Sequence, residues 1–214
     1  MIGVAIVIVV SYCAGAIPFS YIAGRLFAGI DLRQHGSGNL GASNTFRFLG
    51  PKIALLVLVA DIAKGFLPVY FAPVYGVGHT MPDLWLMYTA GFFAVIGHMF
   101  SVFVGFKGGK GIATTAGVFM ALAPVAFVGA FIVWAVVMGT VRIVSVASMA
   151  GAIVLPGVVY TTQRLGLIAP DRSLLVLSIA IAIVVLVKHR SNIKRLLAGT
   201  EPVLRRHRPG DHAG

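Results

Sequence analysis

GIATTAGVFMALAPVAFVGAFIVWAVVMGTV, residues 111–141, runs for 31 residues without a charged side chain. A helix of about 18 to 20 such residues already reaches across a bilayer. As one helix this stretch would rise about 46 Å, against a hydrocarbon core of about 30 Å. Either it tilts steeply, or Pro124 marks a turn between two shorter crossings. The flanking charges decide. Lys107 and Lys110 precede the stretch and Arg142 follows it, and basic loops stay on the cytoplasmic side. An even number of crossings must separate them, which predicts a hairpin.

The rest of the chain reads the same way. Residues 1–24, 85–106 and 143–163 also lack charge. Of 214 residues, 58% are hydrophobic and 11% charged, whereas a soluble domain is about 25% charged, so a water-soluble fold is excluded. Backbone groups in lipid must bond within their own segment, and the alternation of a membrane barrel is missing, so the spans are helices. The coarse spans are 2–28, 53–77, 83–104, the hairpin within 111–141, 146–162 and 173–187. They predict an all-α membrane protein of seven transmembrane helices, N-terminus outside and C-terminus cytoplasmic. Residues 1–200 form a single polytopic domain and 201–214 a basic cytoplasmic tail. Of the 17 Lys and Arg residues, fourteen then lie inside, Arg164 and Arg172 lie outside, and Lys64 sits within a helix. The fourth helix is the strained part of this plan. Residues 111–123 rise only about 20 Å, which demands oblique entry or a thinned bilayer.

The net charge of +11 would raise nucleic acid as a partner for a soluble protein. Here the basic residues sit between and after apolar runs, so orientation and anionic lipid headgroups account for them, and no nucleic acid is implied. A lone Cys13 permits no internal disulfide, and no CxxC pair points to zinc. The first ten residues lack the basic start of a secretory signal, so the first helix reads as retained.

Three polar segments fall on the predicted cytoplasmic face. In HGSGNLGASNTFRFLG, residues 35–50, Ser37, Asn39, Asn44 and Arg47 stand among Gly36, Gly38 and Gly41. Glycines permit tight turns and close backbone approach, Ser and Asn supply neutral hydrogen bonds, and an Arg fork suits phosphate. The same composition also serves a solvated loop with a helix cap. In GFKGGKGIATTAG, residues 105–117, the amides of Gly108, Gly109 and Gly111 precede a helix start, with Lys107 and Lys110 adding charge. That is either an anion site or a tight interhelical turn with positive-inside lysines. The spacing is not that of a Walker A loop, so a nucleotide is unsupported.

The third segment is LVKHRSNIKRLLAGTEP, residues 186–202. His189 and Asn192, three apart, share a helix face, while Ser191 and Lys194 face elsewhere. Ile193, Leu196 and Leu197 suit a helix lying on the membrane, and lipid contact is the expected role of Arg195. The tail at 205–208 reads as a surface anchor. Asp61 and Lys64 sit three residues apart inside the second span, a functional or a structural pair, and His98 is ambiguous in the same way. Arg142 and Ser145 border a further cytoplasmic loop.

The remaining chemistry is narrow. The scattered acids show no metal-ligand spacing, no Gly-x-Ser-x-Gly elbow occurs, and His79 and His207 have Asp at four residues on, not five. What is left is anion recognition at a membrane face. Oriented donors of this kind stabilise negative charge developing in a transfer reaction. A transporter of a phosphorylated metabolite also wants basic residues and broken helices, but near the midplane and in inverted repeats, neither of which the sequence displays. A lipid-binding protein without activity would not need Ser and Asn packed beside glycines.

Together the motifs GSGNLGASN (36–44) with Arg47, DIAKG (61–65), GHMFSVFVGFKGGKG (97–111), RIVS (142–145) and HRSNIKRLLAGTE (189–201) resemble those of the acyl-phosphate-dependent glycerol-3-phosphate acyltransferases of bacterial membranes. The match spans nearly the whole chain in order. The resemblance implies seven helices in the bacterial inner membrane, with the N-terminus out and the active site facing the cytoplasm. It implies acyl transfer from acyl phosphate to the 1-hydroxyl of glycerol 3-phosphate, giving lysophosphatidate and phosphate for phospholipid synthesis, with no cofactor and no metal. The implied partners are those two substrates and membrane lipids. It further implies catalytic roles for Ser37, His189 and Asn192. Substrate contacts fall to Asn39, Gly41, Asn44, Arg47, Lys107, Gly108, Gly109, Lys110, Gly111, Ser145 and Glu201. Ser191 stands where the family pattern has Glu.

Overall fold

The computed structural model describes residues 2–76, 78 and 82–203; the basic run at 205–208 lies outside them. The described residues fold into helices α1 (Ile2–Ala16), α2 (Phe19–Ala28), α3 (Ala42–Tyr75), α4 (Asp83–Met99), α5 (Ile112–Leu122), α6 (Pro124–Val141), α7 (Val144–Arg164), α8 (Arg172–Lys188) and α9 (Arg190–Leu197), with two short 3-10 turns. Five segments are long and apolar enough to cross a bilayer, and the bent pair α8–α9 makes a sixth. Large apolar side chains such as Leu55, Ile132, Val136 and Ile183 cover the outer surface. That is the surface a lipid solvent selects.

The expected first span is broken, not continuous. Pro18 has no N–H and a fixed φ, so α1 stops and α2 restarts. The carbonyls released at the break are satisfied by side chains from elsewhere: Ser101 Oγ donates to Ala16 O, and Lys64 Nζ donates to Ile17 O at 2.7 Å. Similarly, α5 and α6 separate at Ala123, with Pro124 at the first position of α6, where its missing N–H costs nothing.

The second span differs most from expectation. It begins at Ala42 and carries non-helical torsions at Gly50 (φ 77°, ψ 178°) just before Pro51. Thr45 bonds Ser20 while Lys64 bonds Ile17. A straight helix would place Thr45 and Lys64 about 28 Å apart, yet their partners are only three residues apart, so the bend folds residues 42–49 back toward the middle of the bundle. The short α5 has a related cause. It packs alongside the middle of α3, so residues 108–111, which precede it, turn into the bundle. The helix therefore starts part-way down.

This packing depends on small residues, as membrane helices require for close approach. A Cβ at Gly65 would overlap the Thr114 carbonyl, and one at Gly117 the Ile62 carbonyl. Gly117→Leu is expected to separate α3 from α5 and cost about 1–3 kcal/mol, read as a lower melting temperature in detergent. Because the same substitution tilts the loop before α5, activity falls with it.

Candidate active site

The loop 35–41 is shaped by one side chain. Asn44, 1% exposed, donates through Nδ2 to the carbonyls of Leu32 and His35, both at 3.1 Å, and accepts from Ser37 N and Ser37 Oγ at Oδ1. All four of its hydrogen-bonding positions are used inside the loop. Asn44, expected to touch substrate, instead holds Ser37 at the surface. Asn39 and Gly41 lie half-buried beside it. Asp31 grips Arg33 with both carboxylate oxygens, and Arg33 donates to Val104 O at 3.2 Å. That clamp, which the sequence reading missed, fastens the first loop to the second. The Leu40 carbonyl also lies against Gly109.

Gly109 N donates to His98 O at 3.0 Å, and a side chain at Gly108 or Gly109 would collide with that carbonyl or with the His98 ring. Gly111 takes a left-handed φ of 82° to start α5. The loop thus needs its glycines for close approach and for turning. Lys107 is exposed and makes no hydrogen bond or ion pair among the described residues, whereas Lys110 turns inward and donates to Asn192 Oδ1.

Asn192 and His189 are both buried where α8 bends by 54° into α9. As expected from their spacing, Ser191 and Lys194 point outward. Asn192 Nδ2 donates to Glu201 Oε1 at 2.6 Å. Ser145 Oγ donates to the same oxygen at 2.6 Å, and Arg195 Nε to Oε2 at 2.7 Å. Burial raises the Glu201 carboxyl, but these three donors outweigh it and hold the group below its ordinary value. Arg195 thus pairs with Glu201, and Glu201, with both oxygens engaged, gathers Ser145, Asn192 and Arg195 around it. A carboxylate is also a poor partner for phosphate. The spacing of Arg195 and Glu201, six apart across a helix end, carries no periodic signal.

His189 Nδ1 donates to Val185 O at 2.8 Å, which leaves Nε2 as the accepting nitrogen; burial first, and then Lys110, lower the imidazole to about 4 against the opposing pull of the Val185 bond and Glu201. Arg47, half-buried in the first turns of α3, lies within electrostatic reach of Glu201 and Arg195 and makes no hydrogen bond or ion pair among the described residues. Burial, and then Arg195, Arg47 and Lys188, lower the Lys110 ammonium to about 8 against the opposing pull of Glu201. One acid among four cations gives a pocket with surplus positive charge and free N–H donors.

Directly beneath lies a cavity of about 190 Å³ walled by α3, α5, α6, α7 and α8. Its lining is apolar apart from Thr115 and Ser148. Three of the five walls continue from the polar cluster by one helical turn: Gly111 to Thr115, Ser145 to Ser148, His189 to Val185. Among the described residues no cluster of acids, His and Cys is arranged to hold a metal.

The family model described as glycerol-3-phosphate acyltransferase matches residues 5–199. The chain is 43% identical over 192 residues to a glycerol-3-phosphate acyltransferase of Trichlorobacter lovleyi, covering 89% of this chain and 92% of the relative. It is 39% identical over 199 residues to that of Macrococcus caseolyticus, covering 93% and 96%. The crystal structure of PlsY, an integral membrane glycerol 3-phosphate acyltransferase, in its glycerol 3-phosphate form superposes with a TM-score of 0.84 at 35% identity, over 94% of this chain and 96% of that one. The lysophosphatidic acid form gives 0.80 at 34% identity, covering 94% and 95%. By sequence and by fold, therefore, the chain belongs to the glycerol-3-phosphate acyltransferase family, integral membrane enzymes of phospholipid biosynthesis.

Proposed function

We propose that the enzyme takes its acyl group from acyl phosphate and transfers it to the 1-hydroxyl of glycerol 3-phosphate, releasing lysophosphatidate and phosphate. The observation that carries this reading is the stacking of an anion pocket on an apolar cavity, on successive turns of the same helices. Acyl phosphate has that shape: a charged head joined to an alkyl chain. The phosphate head would meet the amides of Gly108 and Gly111 and the Lys110 ammonium, the Gly109 N–H being held by His98 O, and the chain would descend past Thr115 and Ser148 into the cavity. Glycerol 3-phosphate would be clamped by Arg47, with Asn39, Gly41 and Lys107 at the rim. Ser37 and Asn192 would orient its hydroxyl.

The mixed anhydride is already activated, so alignment and charge neutralisation supply most of the catalysis. The hydroxyl oxygen attacks the acyl carbon, the C–O bond to phosphate breaks, and the leaving phosphate takes up the bonding pair. His189 Nε2 accepts the hydroxyl proton, its tautomer fixed by Val185. His189→Gln is expected to lower kcat by at least about 10²-fold, the usual worth of a general base. A fall of less than about tenfold in a folded variant would give that proton to a substrate phosphate instead.

The same reading places seven crossings in a bacterial plasma membrane, N-terminus outside and the pocket facing the cytoplasm. Its support is that Lys110, before α5 and α6, bonds Asn192, while Ser145, after them, bonds Glu201, and Asn192 and Glu201 bond each other. The chain leaves that end of the bundle and returns to it. The deciding experiment incubates the purified protein with acyl phosphate and labelled glycerol 3-phosphate, without metal or CoA. Labelled lysophosphatidate supports the assignment, and product from acyl-CoA alone would overturn the donor.

A further inference from the structure

The buried trio Asp61, Lys64 and His98 takes no part in the mechanism above, yet it lies directly behind the loop 105–111. His98 touches that loop twice. Its carbonyl accepts the Gly109 N–H at 3.0 Å, and its ring edge at Nε2 lies where a Gly109 side chain would stand. The other ring nitrogen, Nδ1, is buried without a hydrogen-bond partner among the described residues and sits 3.7 Å from Asp61 Oδ1. Asp61 is paired with Lys64 at 2.7 Å, and Lys64 in turn closes the α1–α2 break through Ile17 O. A small cavity joins Lys64, His98, Ser101, Gly108 and Gly109.

An unpaired ring nitrogen in a lipid-embedded core is costly. Its orientation offers the reason. With Nε2 turned to the loop and Nδ1 turned to Asp61, the ring passes the fixed position of the α1–α2 break to the backbone of Gly109. We infer that His98 is a positioning residue, set by the Asp61–Lys64 pair, which fixes the depth of the glycine loop and so its grip on a substrate phosphate. This rests on the loop being the phosphate cradle, which Lys110→Met tests separately.

The test uses purified full-length enzyme in detergent, with folding checked by melting and gel filtration. KM is measured for glycerol 3-phosphate at saturating donor, and for the donor at saturating glycerol 3-phosphate. His98→Leu is expected to raise one of the two KM values tenfold or more, with kcat within threefold. Which value rises identifies the phosphate held. His98→Asn, whose amide nitrogen replaces Nδ1, should return KM to within threefold of wild type. His98→Gln, which places its amide at the Nε2 end, should not. Should the Leu variant fail to fold, the Asn and Gln variants carry the same decision. Equal KM values in Asn and Gln, or a fall in kcat with both KM values unchanged, would overturn the assignment. A loop shown by Lys110→Met to bind phosphate, with His98 variants unaltered, would sink this inference alone.

Discussion

Lys110→Met is expected to lower kcat/KM by 10²–10³-fold, the range typical for loss of one preorganised donor to developing negative charge. Methionine keeps the length and apolar stem of lysine but neither its charge nor its N–H groups. Lysine at this position also titrates within a usable range. Burial lowers its ammonium first, three neighbouring cations lower it further, and Glu201 only partly opposes them, giving about 8 in place of 10.5. The charged form, present below that value, is the one that binds an anion. In wild type, kcat/KM should therefore fall as pH rises through about 8, since this ratio reports the free enzyme.

Stability should move the other way. Between about 8 and 10.5 the unfolded chain binds the proton and the folded chain does not, so folding gains as pH rises. Opposite trends in activity and stability separate titration from alkaline unfolding. Lys110→Arg, charged throughout, should carry the activity limb upward, and an unmoved limb in that variant would take the titration away from Lys110.

Arg47→Ala is expected to have a comparable effect, confined to glycerol 3-phosphate. Its guanidinium is half-buried, makes no hydrogen bond or ion pair among the described residues, and shares a field with Glu201 and Arg195. Charged hydrogen bonds contribute about 1.5–3 kcal/mol each, so losing a two-pronged phosphate contact should cost about 3–4 kcal/mol. That is a fall of 10²–10³-fold in kcat/KM for this substrate, with the donor's KM little changed. Arg47→Lys should recover only part of it, because an ammonium has charge without the planar fork. Unaltered kinetics toward glycerol 3-phosphate in Arg47→Ala would remove the clamp from the mechanism.

The break at Pro124, the helical class and the family were legible because each rests on local properties: a proline, runs of apolar residues, and motifs of fixed spacing. Glu201 and Asn44 show where that legibility ended. Both were marked by motif, but a motif names a position and not what its side chain touches. Only the fold shows that Asn44, in the first turn of α3, spends its four hydrogen bonds on Leu32, His35 and Ser37, and that Glu201 gathers Ser145, Asn192 and Arg195.

The spans 2–28 and 83–104 stand as expected, but the bends inside the first two spans were not legible, for a related reason. Pro18 and the pair Gly50–Pro51 were visible, but how far a chain turns at such a break is set by what the two halves pack against. Apolar periodicity does not record that. By itself the sequence determined that the chain lives in a bilayer as helices and carries its polar chemistry in three segments, because solvent and backbone bonding act residue by residue. The tertiary structure alone decided that residues 108–111 turn into the bundle, above an apolar cavity and against His98. Contacts between residues far apart in the chain are fixed by close packing and charge pairing, and neither leaves a trace in local order.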